Sequence, residues 1–256
     1  MGDPRAPAER LRQQGPNGAS VPPTPPARPD GWVYRPPPGP IPVLHHDRDL
    51  IVVDKPAGLL STPGRGADLA DSAWSRAAEV EPRALAVHRL DLDTSGVLCF
   101  ATRKKAEREL FRQFRERVVQ KVYVAWVWGR VSRDTGVIDA PLRRIPGRPR
   151  SEVHPDGKPA QTRFEVRARS QTATLLHLFP RTGRSHQLRV HCLHSGHPIL
   201  GDRFYAPPVA QAAAPRLLLH AWKLQLLHPH RGDELRLMAP LPQIFDRLNG
   251  GAEPPA

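Results

Sequence analysis

The ten residues Val87-His88-Arg89-Leu90-Asp91-Leu92-Asp93-Thr94-Ser95-Gly96 constrain what this chain can fold into more than any other stretch. One apolar run, Ala84–Val87, leads into them and another, Val97–Ala101, leads away. Each run has the length and composition of a buried strand. The polar loop between them therefore emerges from a rigid core, where a reactive group can be held in place. His88, Arg89, Asp91, Asp93 and Ser95 crowd into it, and Gly96 allows a tight turn at its end. An Asp in such a loop can serve as a base, a nucleophile or a metal ligand. It can equally cap a turn or pair with Arg89, because Asp, Thr, Ser and Gly are ordinary turn residues. The residues alone leave these readings level.

The chain has 256 residues, 39% apolar and 25% charged, which suits a globular protein with a core. Residues 1–40 hold 12 of the 31 prolines and read as a disordered or extended tail, because proline lacks a backbone donor. One folded domain is expected over 41–249 and a short tail over 250–256. Val43–His46 and Asp49–Asp54 read as a hairpin, and Lys121–Trp128, Gln161–Ala168, Ala173–Phe179 and Arg216–His228 as further strands. In Lys121–Trp128, the alternation puts Val122, Val124, Trp126 and Trp128 on a core face and Lys121 and Tyr123 on the other. Helices are expected over Leu69–Glu79, from an N-cap at Thr102 to Val118, from the Gly183 loop to about His194, and over Gln243–Leu248. Leu142–Arg150, with four arginines among prolines and glycines, reads as a mobile basic loop suited to phosphate contact.

Charge narrows the partners. Lys plus Arg is 38 against 25 for Asp plus Glu, an excess of +13 that favours a polyanion. It does not separate RNA from DNA or from an anionic membrane. No window approaches a membrane span and no apolar signal region follows Met1-Gly2-Asp3-Pro4-Arg5, so a cytoplasmic protein is expected. Cys99 and Cys192 lie in apolar surroundings and read as core thiols. His186, His191, His194 and His197 are dense around Cys192, but their spacing matches no usual zinc pattern. Packing histidines, and no metal, are expected there.

Several motifs now fall into one order: Lys55-Pro56-Ala57-Gly58-Leu59, the H-R-L-D-L-D-T-S-G loop, Lys121-Val122-Tyr123-Val124-Ala125, T-G-R-S-H-Q-L-R-V-H from Thr182, G-H-P-I-L-G-D-R-F-Y from Gly196, and Leu217-Leu218-Leu219-His220-Ala221. Together, over about residues 42–245, they resemble the RluA family of RNA pseudouridine synthases. The resemblance implies an α/β (α+β) domain: a mixed, largely antiparallel sheet with flanking helices and a central active-site cleft. It implies that Asp91 is the catalytic carboxylate, that Arg184 is its salt-bridge partner, and that Tyr123 stacks on the flipped base. Arg89 would enter the RNA stack where the uridine was. His88, Lys121, Arg143, Arg144 and Leu218 are the further RNA-facing or pocket-facing candidates.

The implied reaction detaches uracil from its ribose, rotates it and rejoins it through carbon, with no cofactor. An ionised carboxylate suits it, because it can trap or stabilise an electron-poor sugar. A guanidinium fork would hold that carboxylate ionised. The expected partners are stem-loops of large-subunit (23S) rRNA and the tRNA anticodon loop, bound by a monomer. A member acting on rRNA alone, a non-catalytic RNA-binding protein and a metal-dependent nuclease are the alternatives. Asp93, a second carboxylate close to Asp91, is the departure within the signature loop.

Overall fold

The computed structural model describes residues 33–246, so the expectations for residues 1–32 and 247–256 lie outside the described residues. Twelve strands are described: β1 Val43–His46, β2 Leu50–Lys55, β3 Leu85–Ala86, β4 Ser95–Ala101, β5 Gln120–Trp128, β6 Thr135–Asp139, β7 Leu142–Arg144, β8 Ser151–Val153, β9 Gln161–Arg169, β10 Ala173–Pro180, β11 Leu219–Leu227 and β12 Glu234–Met238. The α-helices are α1 Ala73–Val80, α2 Lys104–Glu116, α3 Gln187–His194 and the short α4 Pro208–Ala212. The expected mixed, mostly antiparallel architecture is present. One sheet runs β1-β2-β4-β11-β5-β10-β9-β6, with β3 and β12 paired to β4 and β11.

The middle of this sheet is buried on both faces, which explains its unbroken apolar runs. Along β2, Leu50 and Val52 face a core shared with Leu110 of α2, while Ile51 and Val53 face one shared with Ala73 and Ala77 of α1. Val97 and Cys99 of β4 join the first core; Leu98 and Phe100 join the second. On β5 the expected single core face becomes two, because Ala125 and Val127 are as buried as Val124 and Trp126.

β4 and β11 form the sheet's parallel pair, His220 opposite Ser95 and Ala221 opposite Gly96. Gly96 sits at φ 113, and a Cβ there would lie 2.2 Å from the Ala221 carbonyl oxygen. Glycine is required by this close approach as well as by the turn.

Local details depart from the sequence expectations. Residues 34–40 are tethered to the domain: Tyr34 is buried and its hydroxyl donates to the Asp71 carbonyl at 3.0 Å, and Arg76 donates to the Gly39 and Pro37 carbonyls. The first expected helix is a 3-10 turn at Ala67–Leu69 followed by α1, whose Ser72 and Ser75 form a reciprocal cap. Arg103, not Thr102, precedes α2, since the Thr102 hydroxyl is spent on the Arg48 carbonyl. Leu142–Arg150 is no loose loop. β7 and β8 close it into a hairpin whose second strand packs on α3.

Candidate active site

The loop after β3 is pinned from below. Lys55, with no exposed surface, donates from Nζ to the carbonyls of Pro56, Leu59 and Leu92 at 2.9, 2.7 and 3.0 Å. Three ammonium donors meet three acceptors. Burial drives the Lys55 pKa down to about 7, opposed by Asp93 and Asp91. Ser61 Oγ donates to the Leu90 carbonyl and accepts the Leu90 N–H, at 2.7 and 3.0 Å. Gly58 N–H donates to the Leu92 carbonyl. Asp91 is thus flanked on both sides by fixed backbone.

Its carboxylate faces a pocket of about 110 Å³ walled by Arg89, Tyr123, Thr182, Arg184 and His186. Arg189 Nη1 approaches Asp91 Oδ2 at 3.4 Å. Arg189 is 2% exposed and is itself held by Asp202, which accepts from Nε at 2.8 Å and from Nη2 at 2.7 Å. Asp202 has no exposed surface and also accepts the backbone N–H groups of Phe204 and Tyr205. A buried arginine between two carboxylates satisfies the rule that buried charge must be paired.

This corrects the expected partner of Asp91. Arg184 borders the same pocket, but its Nε donates to the Pro159 carbonyl at 3.2 Å and its backbone N–H to Gln187 Oε1. Arg184 lies in the turn before α3, whereas Arg189 lies in the first turn of the helix, aimed across it. The signal was available: Arg189 stands between Leu188 and Val190, and an arginine in an apolar helical run needs an anion.

Other candidates divide. His88 is half-buried, borders a larger basic opening beside the pocket, and also packs. Its Nε2 accepts the Cys99 N–H at 3.0 Å, its ring stacks on Phe114 at 4.8 Å, and burial pushes its pKa down to about 3. Leu218 has no exposed surface and packs in the core; its neighbour Leu219 lines the pocket, one step out of phase on the strand. Arg143 pairs with Glu152 at 2.8 Å across the β7–β8 hairpin, and Arg144 is exposed beside it; neither lines the pocket. Asp93 is bound by Arg203 at 2.9 Å. Tyr123 and Lys121 both line the pocket. Burial, and then the charge on Asp91, raise the Tyr123 pKa, so its phenol stays protonated at neutral pH.

Two of the histidines weighed as metal ligands are engaged elsewhere. His191 bonds Thr162 Oγ1 and the Ala140 carbonyl at 2.9 and 3.0 Å, and His197 meets the Trp128 carbonyl at 3.0 Å. Among the described residues, Asp47, Asp49 and His228 bring ligand-type atoms within 4.8 Å of one another, but Arg103 occupies Asp49 and His45 occupies Asp47.

A second opening of about 500 Å³ shares Arg89, Lys121, Tyr123 and Arg184 with the pocket and adds Arg115, Arg117 and Arg181. Among the described residues no acidic one lines it. Arg89 is exposed at the junction and forms no ion pair among the described residues. No helix among them is long and apolar enough to cross a membrane.

The sequence model of the RNA pseudouridylate synthase family matches residues 49–194. The chain is 53% identical over 212 residues to the dual-specificity RNA pseudouridine synthase RluA of Escherichia coli strain K12, covering 81% of this chain and 96% of that one. It is 52% identical over 193 residues to the Yersinia pestis protein of the same name, covering 74% and 94%. Among solved structures, human RNA pseudouridylate synthase domain containing 1 superposes with a TM-score of 0.68 at 29% identity, covering 80% of this chain and 86% of that one.

Proposed function

Because the chain belongs to the RNA pseudouridylate synthase family, and is thus an isomerase acting on uridine in RNA, we propose that Asp91 is its catalytic carboxylate. The ion pair from buried Arg189 to Asp91, at the wall of a pocket large enough for one base, carries this reading. In the reaction the N1–C1′ bond of uridine breaks, the base turns, and a C5–C1′ bond forms while C5 loses its proton and N1 gains one. An ionised carboxylate beside C1′ suits the electron-poor sugar. Arg189 places a guanidinium 3.4 Å from that carboxylate and supplies the geometry that aims it.

Tyr123 offers the base a flat neighbour inside the pocket. Its raised pKa favours stacking and hydrogen-bond donation over action as a phenolate base. Arg89, exposed and unpaired between the pocket and the basic cleft, suits the vacancy in the RNA stack that the flipped uridine leaves. The cleft itself, with six cations and no acid, suits the flanking phosphodiester chain. Arg184 and Lys121 belong to that RNA-facing set, and Arg144 extends it onto the hairpin.

We infer that the substrates are uridines in large-subunit rRNA stem-loops and in the tRNA anticodon loop. Support comes from the relatives termed dual-specificity and from the economy of extruding a base out of a loop. Wild type and Asp91→Asn, each incubated with unmodified tRNA and with fragmented large-subunit rRNA, test this by carbodiimide-primer extension. New pseudouridines with wild type and none with the variant are expected. Modification of only one RNA class removes the dual specificity, and an active Asp91→Asn removes the role of Asp91.

A further inference from the structure

Arg189 accounts for one oxygen of Asp91; the other faces His186, whose Nε2 stands 3.9 Å from Asp91 Oδ1. His186 precedes α3 with φ 55, a left-handed conformation that is unfavourable for a non-glycine residue. Its ring lies against Phe204, near parallel at 5.9 Å, and meets Tyr205 edge-on at 5.6 Å. The backbone is strained and the ring is gripped, so the placement is over-determined by its surroundings.

The hydrogen bonds on the far side of the ring bear on where its proton sits. His186 Nδ1 lies 2.7 Å from the Tyr205 hydroxyl, and the same oxygen accepts the Ser151 N–H of β8 at 2.8 Å. A phenol has one proton to donate. Its other neighbour, the Ser151 N–H, is a donor, which leaves Nδ1 as the protein acceptor among the described residues. With that bond Nδ1 accepts and the ring proton falls on Nε2, the nitrogen 3.9 Å from Asp91 Oδ1.

We propose that Tyr205 fixes His186 as its neutral Nε2–H tautomer, and that His186 is thereby a positioning residue for Asp91, orienting Oδ1 while Arg189 orients Oδ2. The proposal rests on the reading of Asp91 as the catalytic carboxylate. A neutral donor orients the carboxylate without placing a second full positive charge on it, which would blunt its nucleophilicity. Catalytic hydrogen bonds are often long in unliganded sites and tighten in the substrate complex.

The charged groups around the ring agree. Burial, Arg189 of α3 and Arg144 of β7 disfavour the imidazolium; Asp91 and Asp202 favour it; the balance lies below the ordinary histidine pKa. Burial pushes the Tyr205 phenol up to about 12, so its proton stays in place.

Tyr205→Phe keeps the ring and removes the proton. The expected result is a fall of about tenfold in kcat with KM within about twofold. The acid limb of the kcat–pH profile should move upward, because the freed Nδ1 accepts a proton. In wild type, the 15N spectrum should show His186 protonated at Nε2 and unprotonated at Nδ1. A wild-type kcat and pH profile in Tyr205→Phe, or an Nδ1–H signal in wild type, overturns the proposal. Should Tyr205→Phe fail to fold, the wild-type spectrum decides alone. Asp91→Asn is assayed alongside. If it stays active, the reading of Asp91 falls. If it is dead while Tyr205→Phe matches wild type, only the role of His186 falls.

Discussion

Asp202 grips the Nε edge of Arg189 with two hydrogen bonds, at 2.8 and 2.7 Å, and leaves Nη1 to face Asp91. The guanidinium is therefore a rigid spacer between a wholly buried carboxylate and a solvent-touched one. Arg189→Lys keeps the charge but cannot bridge both acids. We expect kcat to fall about ten- to a hundredfold, as for a reacting group displaced by about 1 Å. Asp202→Ala leaves a buried guanidinium half-paired and should cost about 3–5 kcal/mol of stability. Steady-state kinetics and urea unfolding check the two. An Arg189→Lys enzyme with wild-type kcat would show that the fork is dispensable.

Lys55 ties the Lys-Pro-x-Gly-Leu turn to the signature loop by donating to three carbonyls. Lys55→Met matches its length but leaves those acceptors bare, at about 1–3 kcal/mol for each that water cannot reach. A stability loss of at least about 3 kcal/mol is expected. Amide exchange at Leu92 and Asp93 should quicken. Unchanged exchange there means the loop is held by other contacts.

Asp54 provides a pH signature. Burial raises its pKa to about 6, against the lowering effects of Lys55 and Arg216. The folded state thus binds more protons than the unfolded state between about pH 4 and 6, so this group's contribution falls as pH rises through that window. Asp54→Asn removes the effect. Allowing for screening of a partly exposed group, the variant should be more stable than wild type by about 1 kcal/mol at pH 8 and level with it near pH 4. Denaturant unfolding at both pH values measures this, and a more stable wild type at pH 8 contradicts it.

Gly96→Ala forces a methyl to 2.2 Å from the Ala221 carbonyl and holds alanine at φ 113. Separation of β4 from β11 is expected, with a loss of about 3 kcal/mol or more and a midpoint lower by roughly 10 °C. Gly232→Ala, also at positive φ (80) but with open space around it, isolates the conformational part and should cost less. Equal midpoints for the two variants would mean that the seam relaxes.

Arg115 and Arg117 line the acid-free cleft. If both meet phosphates, Arg115→Gln/Arg117→Gln should lower the slope of log affinity against log salt by about 1.4–1.8, at 0.7–0.9 per phosphate contact. An unchanged slope moves the RNA path off the end of α2.

Much of the chain could be read in its sequence because the relevant signals are local. The runs Leu50-Ile51-Val52-Val53 and Val97–Ala101 announce strands buried on both faces. The H-R-L-D loop and the Arg184–His191 segment locate the pocket, and the family follows from their order. Tertiary structure decided which side chains meet. Whether Arg184 or Arg189 reaches Asp91 depends on where α3 begins, and the left-handed turn at His186 sets that point. Whether Leu218 or Leu219 faces the pocket depends on the phase of β11 against β5, set by backbone hydrogen bonds to residues nearly a hundred positions away. Tyr205 meets His186, and Ser151 meets Tyr205, where the hairpin packs on α3. Periodicity and turn chemistry act over a few residues, so sequence carries them directly. Partner choice across loops is settled by packing between distant segments: the apolar flanks of Arg189 show that it needs an anion, but not which one.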